Sequence, residues 1–185
     1  MTRHARRTAP APRQRTRREV TIRTGERGDS PRIHELIKAH LEEGHLLPRT
    51  LEELTLHAER FVVGVDPRGT VVACGELAPL SHALAELRSF VVSRRHRGSG
   101  VGGRMLDEIR RRARLDGYDN LCAFTHQPGY FVRLDFSIVP HTWLPEKIAT
   151  DCRACRLFRR CGQYAMVTEL EPVRHATRAD ASLHA

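Results

Sequence analysis

The stretch "SFVVSRRHRGSGVGGRMLDEIRRRAR", residues 89–114, decides the fold. An apolar run at Phe90–Val92 leads into a short loop rich in Arg, Gly and Ser, and an amphipathic segment predicts a helix over 100–116. A loop that enters a helix presents backbone N–H groups without intrahelical partners, and glycines let these amides converge on an anion. The pattern therefore favours a phosphate-binding loop at Arg97–Gly102, while a flexible surface turn is the alternative for glycines alone.

Two familiar phosphate motifs do not match this loop. A P-loop ends in Gly-Lys-Ser/Thr, whereas this sequence reads Gly102-Gly103-Arg104. A dinucleotide fingerprint stands near the first strand of its domain, whereas this loop follows the fourth strand pattern of the chain. The sequence therefore predicts neither a P-loop NTPase nor a dinucleotide-binding fold.

Most of the positive charge lies at one end of the chain. Seven arginines and no acid occupy residues 1–18, which leaves +2 of the net charge of +9 for the rest. This tail is predicted to be disordered, with a nucleic-acid-binding arm as the alternative, and residues 171–185 are predicted to form a second loose tail. No apolar run has the roughly 18 to 20 residues of a membrane span or the core of a signal peptide. We therefore expect a cytoplasmic protein with no membrane partner and no nucleic-acid partner.

The folded part is predicted to be one domain over 19–170. Strand patterns occur at seven places: "EVTIRT", "RFVVGVD", "TVVACGELAPL", "LAELRSFVV", "NLCAFT", "FSIV" and "QYAMVTEL". A first helix is predicted from Asp29 or Ser30 to Gly44, and a second one follows the capping pair Thr50 and Glu53. Strands and helices mix without strict alternation, which indicates an α/β fold with a mixed sheet packed by helices.

Several of these features occur in the order found in the GNAT superfamily of acyl-CoA-dependent N-acetyltransferases. The segment 97–102, "RGSGVG", resembles its motif Arg/Gln-x-x-Gly-x-Gly/Ala, and "YFVRLDFSIV" is similar to its "FYxRLGF". The strand "ELRSFVV" before the loop and the amphipathic helix after it also fit. The resemblance implies a GNAT fold, with a mixed, mostly antiparallel central sheet flanked by helices.

The resemblance also implies acetyl-CoA as co-substrate. In this family the main-chain amides of the glycine loop bind the pyrophosphate, and the pantetheine arm lies along the preceding strand like an added strand. Carried over to this sequence, the coenzyme-binding residues are Arg97, Gly98, Ser99, Gly100, Val101 and Gly102 for the pyrophosphate, and Phe90, Val91 and Val92 for the pantetheine.

Two side chains are candidates for proton transfer. Glu86 stands where many family members keep a carboxylate base, although a solvent-facing strand position is the alternative. The family's acid is often a tyrosine five residues before the Phe of "LGF", and that count from Phe136 falls on Phe131. Tyr130, one residue away, is the candidate acid, with packing or substrate contact as the alternative.

A closer resemblance links the chain to the stand-alone N-acetylglutamate synthase-like transferases of arginine biosynthesis. It is carried by "HLLPRTLEEL", "AELRSFVV", "LCAFTHQPGYFVRLDFSIV" and "WLPEKIATDCRACRLFRRCGQYAMV". The implied reaction converts acetyl-CoA and L-glutamate into CoA and N-acetyl-L-glutamate. Arg49 matches the arginine thought to hold substrate carboxylate, Arg88 and Lys147 are weaker candidates, and surface charges are the alternative.

Other readings remain open at this point. The chain could acetylate a different small-molecule or protein amine, or it could be a basic nucleic-acid-binding or cysteine-loop interaction module without catalysis. A homodimer is one of the oligomeric states left open.

A cysteine-bearing loop is predicted over 141–162. Cys152, Cys155 and Cys161 include one pair with the spacing of zinc sites, and His126 or His141 could supply a fourth ligand. Since a second such pair is missing from the sequence, a structural zinc site stands beside the alternative of free or redox-sensitive thiols.

Overall fold

The protein is described here by a computed structural model that covers residues 19–43 and 46–171. In this part of the chain seven strands form one sheet of order β1-β2-β3-β4-β5-β7-β6. The strands are β1 Thr21–Thr24, β2 Phe61–Val65, β3 Val71–Pro79, β4 Leu84–Val92, β5 Asn120–Thr125, β6 Ser137–Val139 and β7 Tyr164–Glu169. Only β4 and β5 pair in parallel, so the predicted mixed, mostly antiparallel sheet is confirmed.

Helices surround the sheet, and short turns connect them to it. The α-helices are α1 Ser30–Lys38, α2 Leu51–Leu56, α3 Val101–Leu115, α4 Pro128–Val132 and α5 Pro145–Lys147. A π-helical turn follows at Ile148–Cys152, and 3-10 turns lie at Arg27–Asp29, Leu41–Glu43, Ala58–Arg60, Arg94–His96, His141–Trp143 and Phe158–Arg160. The Thr50 hydroxyl accepts a hydrogen bond from the Glu53 amide at 3.1 Å, which confirms the predicted cap of α2.

Helix α1 is shorter than its sequence pattern predicts. It begins after Asp29 as expected, with a proline in its first turn, but it ends at Lys38. The chain then forms the 3-10 turn at Leu41–Glu43, and the Glu43 carboxylate binds Arg94 and Arg97 instead of continuing a helix. Gly44, the predicted helix end, lies outside the described residues.

Each face of the sheet carries its own apolar core. Helix α3 buries Met105, Leu106 and Ile109 against one face, together with Val62 of β2. The neighbouring Val63 points to the opposite face, where α1 and α2 pack, because successive strand residues alternate between faces. The sheet is thus enclosed by helices, and α3 holds the glycine loop at the end of β4.

Strands β4 and β5 separate partway along their length. Their parallel pairing runs from Leu84–Asn120 to Leu87–Ala123 and stops, although β4 continues to Val92. On its other side β4 remains paired with β3 up to Val92, across an irregularity in register. One edge of β4 beyond Leu87 is therefore left without a strand partner, and a cleft opens there.

The predicted tail 1–18 and all but the first residue of the predicted tail 171–185 lie outside the described residues. Within the described ranges, every helix is too short or too polar to cross a membrane.

Candidate active site

The cleft between the separated ends of β4 and β5 has a volume of about 1140 Å³. Its walls come from the end of β4, the glycine loop, the end of β5 and the segment around α5. Most of the residues predicted for the coenzyme and for proton transfer line this one space: Phe90, Val91, Val92, Arg97, Gly98, Gly100, Gly102, Glu86 and Tyr130. Ser99 and Val101, which were predicted with them, are not among the lining residues. The fold therefore brings the two predicted groups together.

The glycine loop turns through left-handed backbone where it enters α3. Gly98 has φ 72° and Gly100, the N-cap of α3, has φ 85°, a region that glycine adopts without steric cost. The loop is closed internally by the Ser99 hydroxyl, which donates to the His96 carbonyl at 2.5 Å. The first amides of the fifteen-residue helix α3 and its dipole then favour an anion at this end of the cleft.

A carboxylate outside the loop binds two of its arginines. Glu43 accepts hydrogen bonds from Arg97 Nη2 at 2.7 Å and from Arg94 Nε at 2.9 Å. These contacts, that of Arg97 above all, lower the pKa of Glu43 from 4.5 to about 2. Arg97 Nε also donates to the Val92 carbonyl at 2.9 Å, so its side chain ties the glycine loop to the end of β4.

Glu86 lies at the base of the cleft and is only 3% exposed. Its carboxylate accepts hydrogen bonds from Arg88 Nε at 2.6 Å and from Lys147 Nζ at 2.8 Å. The alternative of a solvent-facing strand position is therefore wrong. Lys147, which belongs to α5, reaches β4 across 61 residues of sequence.

A second acid completes this group of charges. Asp151, in the π-helical turn after α5, accepts hydrogen bonds from Arg88 Nη2 at 2.5 Å and from Lys147 Nζ at 2.8 Å. Burial alone would lower the pKa of Arg88, but the nearby carboxylates outweigh it and raise this pKa. Sequence analysis missed Asp151, although its spacing of four residues from Lys147 is typical of a helical ion pair.

Arg49 lies in the same cleft and is held by three side chains. Its Nη1 donates to Glu76 at 2.8 Å and to the Ser89 hydroxyl at 3.1 Å, while its Nη2 lies 2.9 Å from Glu53. Glu76 was also missed by the sequence analysis. The signal that could have revealed it is an acid in the middle of the otherwise apolar strand β3, where it is 1% exposed.

Tyr130 lies against the glycine loop. Its hydroxyl is 2.5 Å from the point where a Cβ on Gly102 would stand, so a side chain at Gly102 would displace it. Burial raises the pKa of Tyr130, which keeps the hydroxyl protonated and able to donate a proton. Its ring packs against Phe90, with centroids 6.3 Å apart.

The predicted zinc site is not supported by the structure. Among the described residues no three His, Cys, Asp or Glu side chains are arranged to hold a metal ion. Cys155 and Cys161 are exposed rather than enclosed, and burial raises the pKa of the Cys152 thiol, which disfavours the thiolate that zinc requires. Neither His126 nor His141 completes such a group with them.

The cleft combines a free strand edge, a glycine-rich helix start and a buried carboxylate, which are the parts that the resemblance to N-acetyltransferases implies. Consistent with this, the acetyltransferase (GNAT) family matches residues 30–130, and the chain belongs to that family. The prediction of a GNAT fold and of an acetyl-CoA-dependent N-acetyltransferase is confirmed.

Named relatives agree with this assignment. An uncharacterized N-acetyltransferase of Chlorobaculum tepidum is 27% identical over 82% of the chain and 97% of its own length. An amino-acid acetyltransferase of Neisseria meningitidis is 31% identical over 73% of the chain. The structure of N-acetylglutamate synthase from Neisseria gonorrhoeae, complexed with coenzyme A and N-acetyl-glutamate, matches 82% of the chain with a TM-score of 0.74 and 28% identity. The chain spans about a third of the length of both Neisseria proteins, with 31% and 35% of them covered.

Proposed function

We propose that the protein transfers an acetyl group from acetyl-CoA to the α-amine of an amino acid, and that L-glutamate is the acceptor. One observation carries the proposal: a single cleft contains both the glycine-rich start of α3 and the buried Glu86 carboxylate. The first feature suits the diphosphate of a coenzyme, and the second suits the removal of a proton from an amine.

The coenzyme half of the proposal assigns the diphosphate to the main-chain amides of Arg97–Gly102. The pantetheine arm would lie along Phe90–Val92, whose free edge offers backbone N–H and C=O groups because the pairing of β4 with β5 ends at Leu87. The pantetheine arm would form hydrogen bonds with these groups in the way a neighbouring β-strand does. The thioester would then lie near the base of the cleft.

The proposed chemistry needs one base and one acid. Glu86 accepts the proton that the α-ammonium group must lose, and the free amine attacks the thioester carbonyl carbon. The carbon–sulfur bond breaks, and the thiolate takes a proton from Tyr130, whose hydroxyl lies at the coenzyme end of the cleft. The nitrogen of the tetrahedral intermediate gives up its second proton as the carbon–sulfur bond breaks. Of the two protons that the nitrogen loses, one leaves through Glu86 to solvent, and the other replaces the Tyr130 proton by way of solvent.

The choice of glutamate is supported by the charges of the cleft and by the relatives. Three cationic side chains, Arg49, Arg88 and Lys147, line the cleft and can meet substrate carboxylates. The amino-acid acetyltransferase and the N-acetylglutamate synthase are relatives named for such a substrate. Together they favour a step of arginine biosynthesis, which remains a proposal along with the cytoplasmic location.

Thiol release from acetyl-CoA, measured across the twenty amino acids and one polyamine, tests the proposal. We expect turnover with glutamate to exceed that with each other acceptor. Equal turnover with several amino acids would show that glutamate is wrong as the preferred acceptor. Turnover with the polyamine alone would overturn the proposed amino-acid acceptor altogether.

A further inference from the structure

The carboxylates around Arg49 differ sharply in burial. Glu76 is 1% exposed and binds Nη1, whereas Glu53 is 41% exposed and binds Nη2. Arg49 itself is 10% exposed. The inner contact is therefore enclosed by protein, and the outer contact faces the open cleft, which both Arg49 and Glu53 line.

One donor of Arg49 is left unsatisfied. Its Nε is buried and has no hydrogen-bond partner among the described residues. In a guanidinium group, Nε and Nη2 lie on the same edge and can donate two parallel hydrogen bonds to one carboxylate. Glu53 binds only Nη2 of this edge and leaves Nε without a hydrogen bond. A carboxylate bound to both nitrogens would satisfy the whole edge.

Glu76 determines which edge is available. Together with the Ser89 hydroxyl it occupies Nη1, so the end-on approach to Nη1 and Nη2 is blocked from the inside. A buried ion pair of this kind fixes the side chain, since removal of Glu76 would leave the half-exposed Glu53 as the carboxylate that still pairs with Arg49. The guanidinium is therefore anchored at Nη1, which leaves its Nε–Nη2 edge for a second carboxylate.

We propose that Glu53 is an internal stand-in for the carboxylate of the acceptor and competes with it for the Nε–Nη2 edge of Arg49, while Glu76 positions that arginine. This inference rests on the proposed function and specifies the acceptor class as an amine that bears a carboxylate. An amine without a carboxylate gains no contact with Arg49, so we expect polyamines to be poorer acceptors than amino acids. The exposed contact contributes little free energy, which lets substrate replace it at low cost.

Steady-state kinetics of Glu53→Gln tests the competition. Loss of the internal competitor should lower KM for glutamate about two- to five-fold, with kcat and KM for acetyl-CoA unchanged, because exposed ion pairs are worth little. Glu52→Gln is the matched control, since it removes the same charge from an exposed position of the same helix, and it should leave KM as it is.

Amide analogues sharpen this experiment. The two monoamides of glutamate each lack one carboxylate. The decrease in KM caused by Glu53→Gln should disappear for the monoamide that lacks the carboxylate bound by Arg49. A decrease in KM that persists with both monoamides, or that also occurs in the Glu52→Gln control, would overturn the inference.

Glu76→Gln tests the positioning of Arg49. We expect KM for glutamate to rise about tenfold or more while kcat changes less than about twofold, a split that general destabilisation would not produce. Ser89→Ala removes only the second anchor of Nη1 and should raise KM by a smaller factor, which keeps the test available if Glu76→Gln fails to fold.

The outcomes separate the two proposals. Normal turnover of glutamate with an unchanged KM in Glu53→Gln overturns this inference alone. Failure of the wild-type protein to acetylate any amino acid overturns the proposed function, and the inference falls with it.

Discussion

The two ends of the cleft are built in different ways. The coenzyme end consists largely of main-chain groups from one continuous segment, residues 89–104, shaped by glycines in left-handed conformation. The acceptor end consists of ion pairs between side chains that lie far apart in sequence, such as Arg49 with Glu76 and Glu86 with Lys147. Recognition by backbone therefore leaves a local sequence pattern, whereas recognition by side chains depends on the fold.

The largest effect is expected at the acceptor end, from Glu86→Gln. Loss of the proton acceptor should lower kcat about 100- to 10 000-fold, while affinity for CoA should change little because Glu86 lies away from the glycine loop. A thiol-release assay measures kcat, and titration calorimetry measures the affinity for CoA.

The control for this substitution is Glu108→Gln, which breaks an exposed ion pair with Arg111 on α3. It should retain wild-type turnover. An unchanged kcat in Glu86→Gln would remove Glu86 from the mechanism.

An intermediate effect is expected at the coenzyme end, from Gly100→Ala. A residue with a Cβ at the φ of 85° found for Gly100 is strained by about 1–2 kcal/mol. The loop of the variant should relax in the free protein and must regain the strained conformation when CoA binds. We expect CoA affinity to fall about five- to thirtyfold, by calorimetry. Kinetics at saturating acetyl-CoA should approach the wild-type kcat.

Gly69→Ala supplies the matched control. Gly69 has φ 77° in the turn between β2 and β3, and nothing lies within 4 Å of a Cβ built there. It carries a similar strain at a distance from the cleft. If both alanine variants lose the same CoA affinity, the glycine loop has no special role.

The smallest effect is expected from Glu43, a carboxylate at the coenzyme end whose side chain is 20% exposed. Glu43 has a folded pKa lowered to about 2, so its contacts with Arg97 and Arg94 stabilise the protein above pH 4.5. This contribution is lost as pH falls toward 2. NMR titration of the Glu43 carboxyl carbon measures it, and Glu43→Gln should lower the melting temperature slightly at neutral pH and not at all near pH 2. A midpoint near 4.5 would contradict the contact.

The fold was predictable to the extent that its signals are local. The run "NLCAFT" is β5 at Asn120–Thr125, and the helix predicted over 100–116 is α3 at Val101–Leu115. The predicted end of α1 at Gly44 was wrong, because the helix already ends at Lys38. Beyond it Glu43 binds the distant Arg94 and Arg97, contacts that no local sequence pattern reports. The cysteine spacing misled for the opposite reason: a local pattern was present, but the fold does not bring its thiols together as ligands.

The residues of the candidate site likewise differ in whether a local sequence signal could identify them. The glycine loop and Glu86 could be found from motifs within about twenty residues of each other, and both line the cleft. Glu76 and Asp151 could not, because their importance comes from contacts across 27 and 63 residues. An acid inside an apolar strand was the one sequence signal for Glu76, and it shows only that such a charge must find a partner.

A crystal structure of the protein with CoA tests the central claim most directly. The account predicts the diphosphate on the amides of Arg97–Gly102, the pantetheine along Phe90–Val92 and the sulfur directed toward Glu86. CoA bound elsewhere on the protein, or a cleft left empty at millimolar CoA, would contradict it.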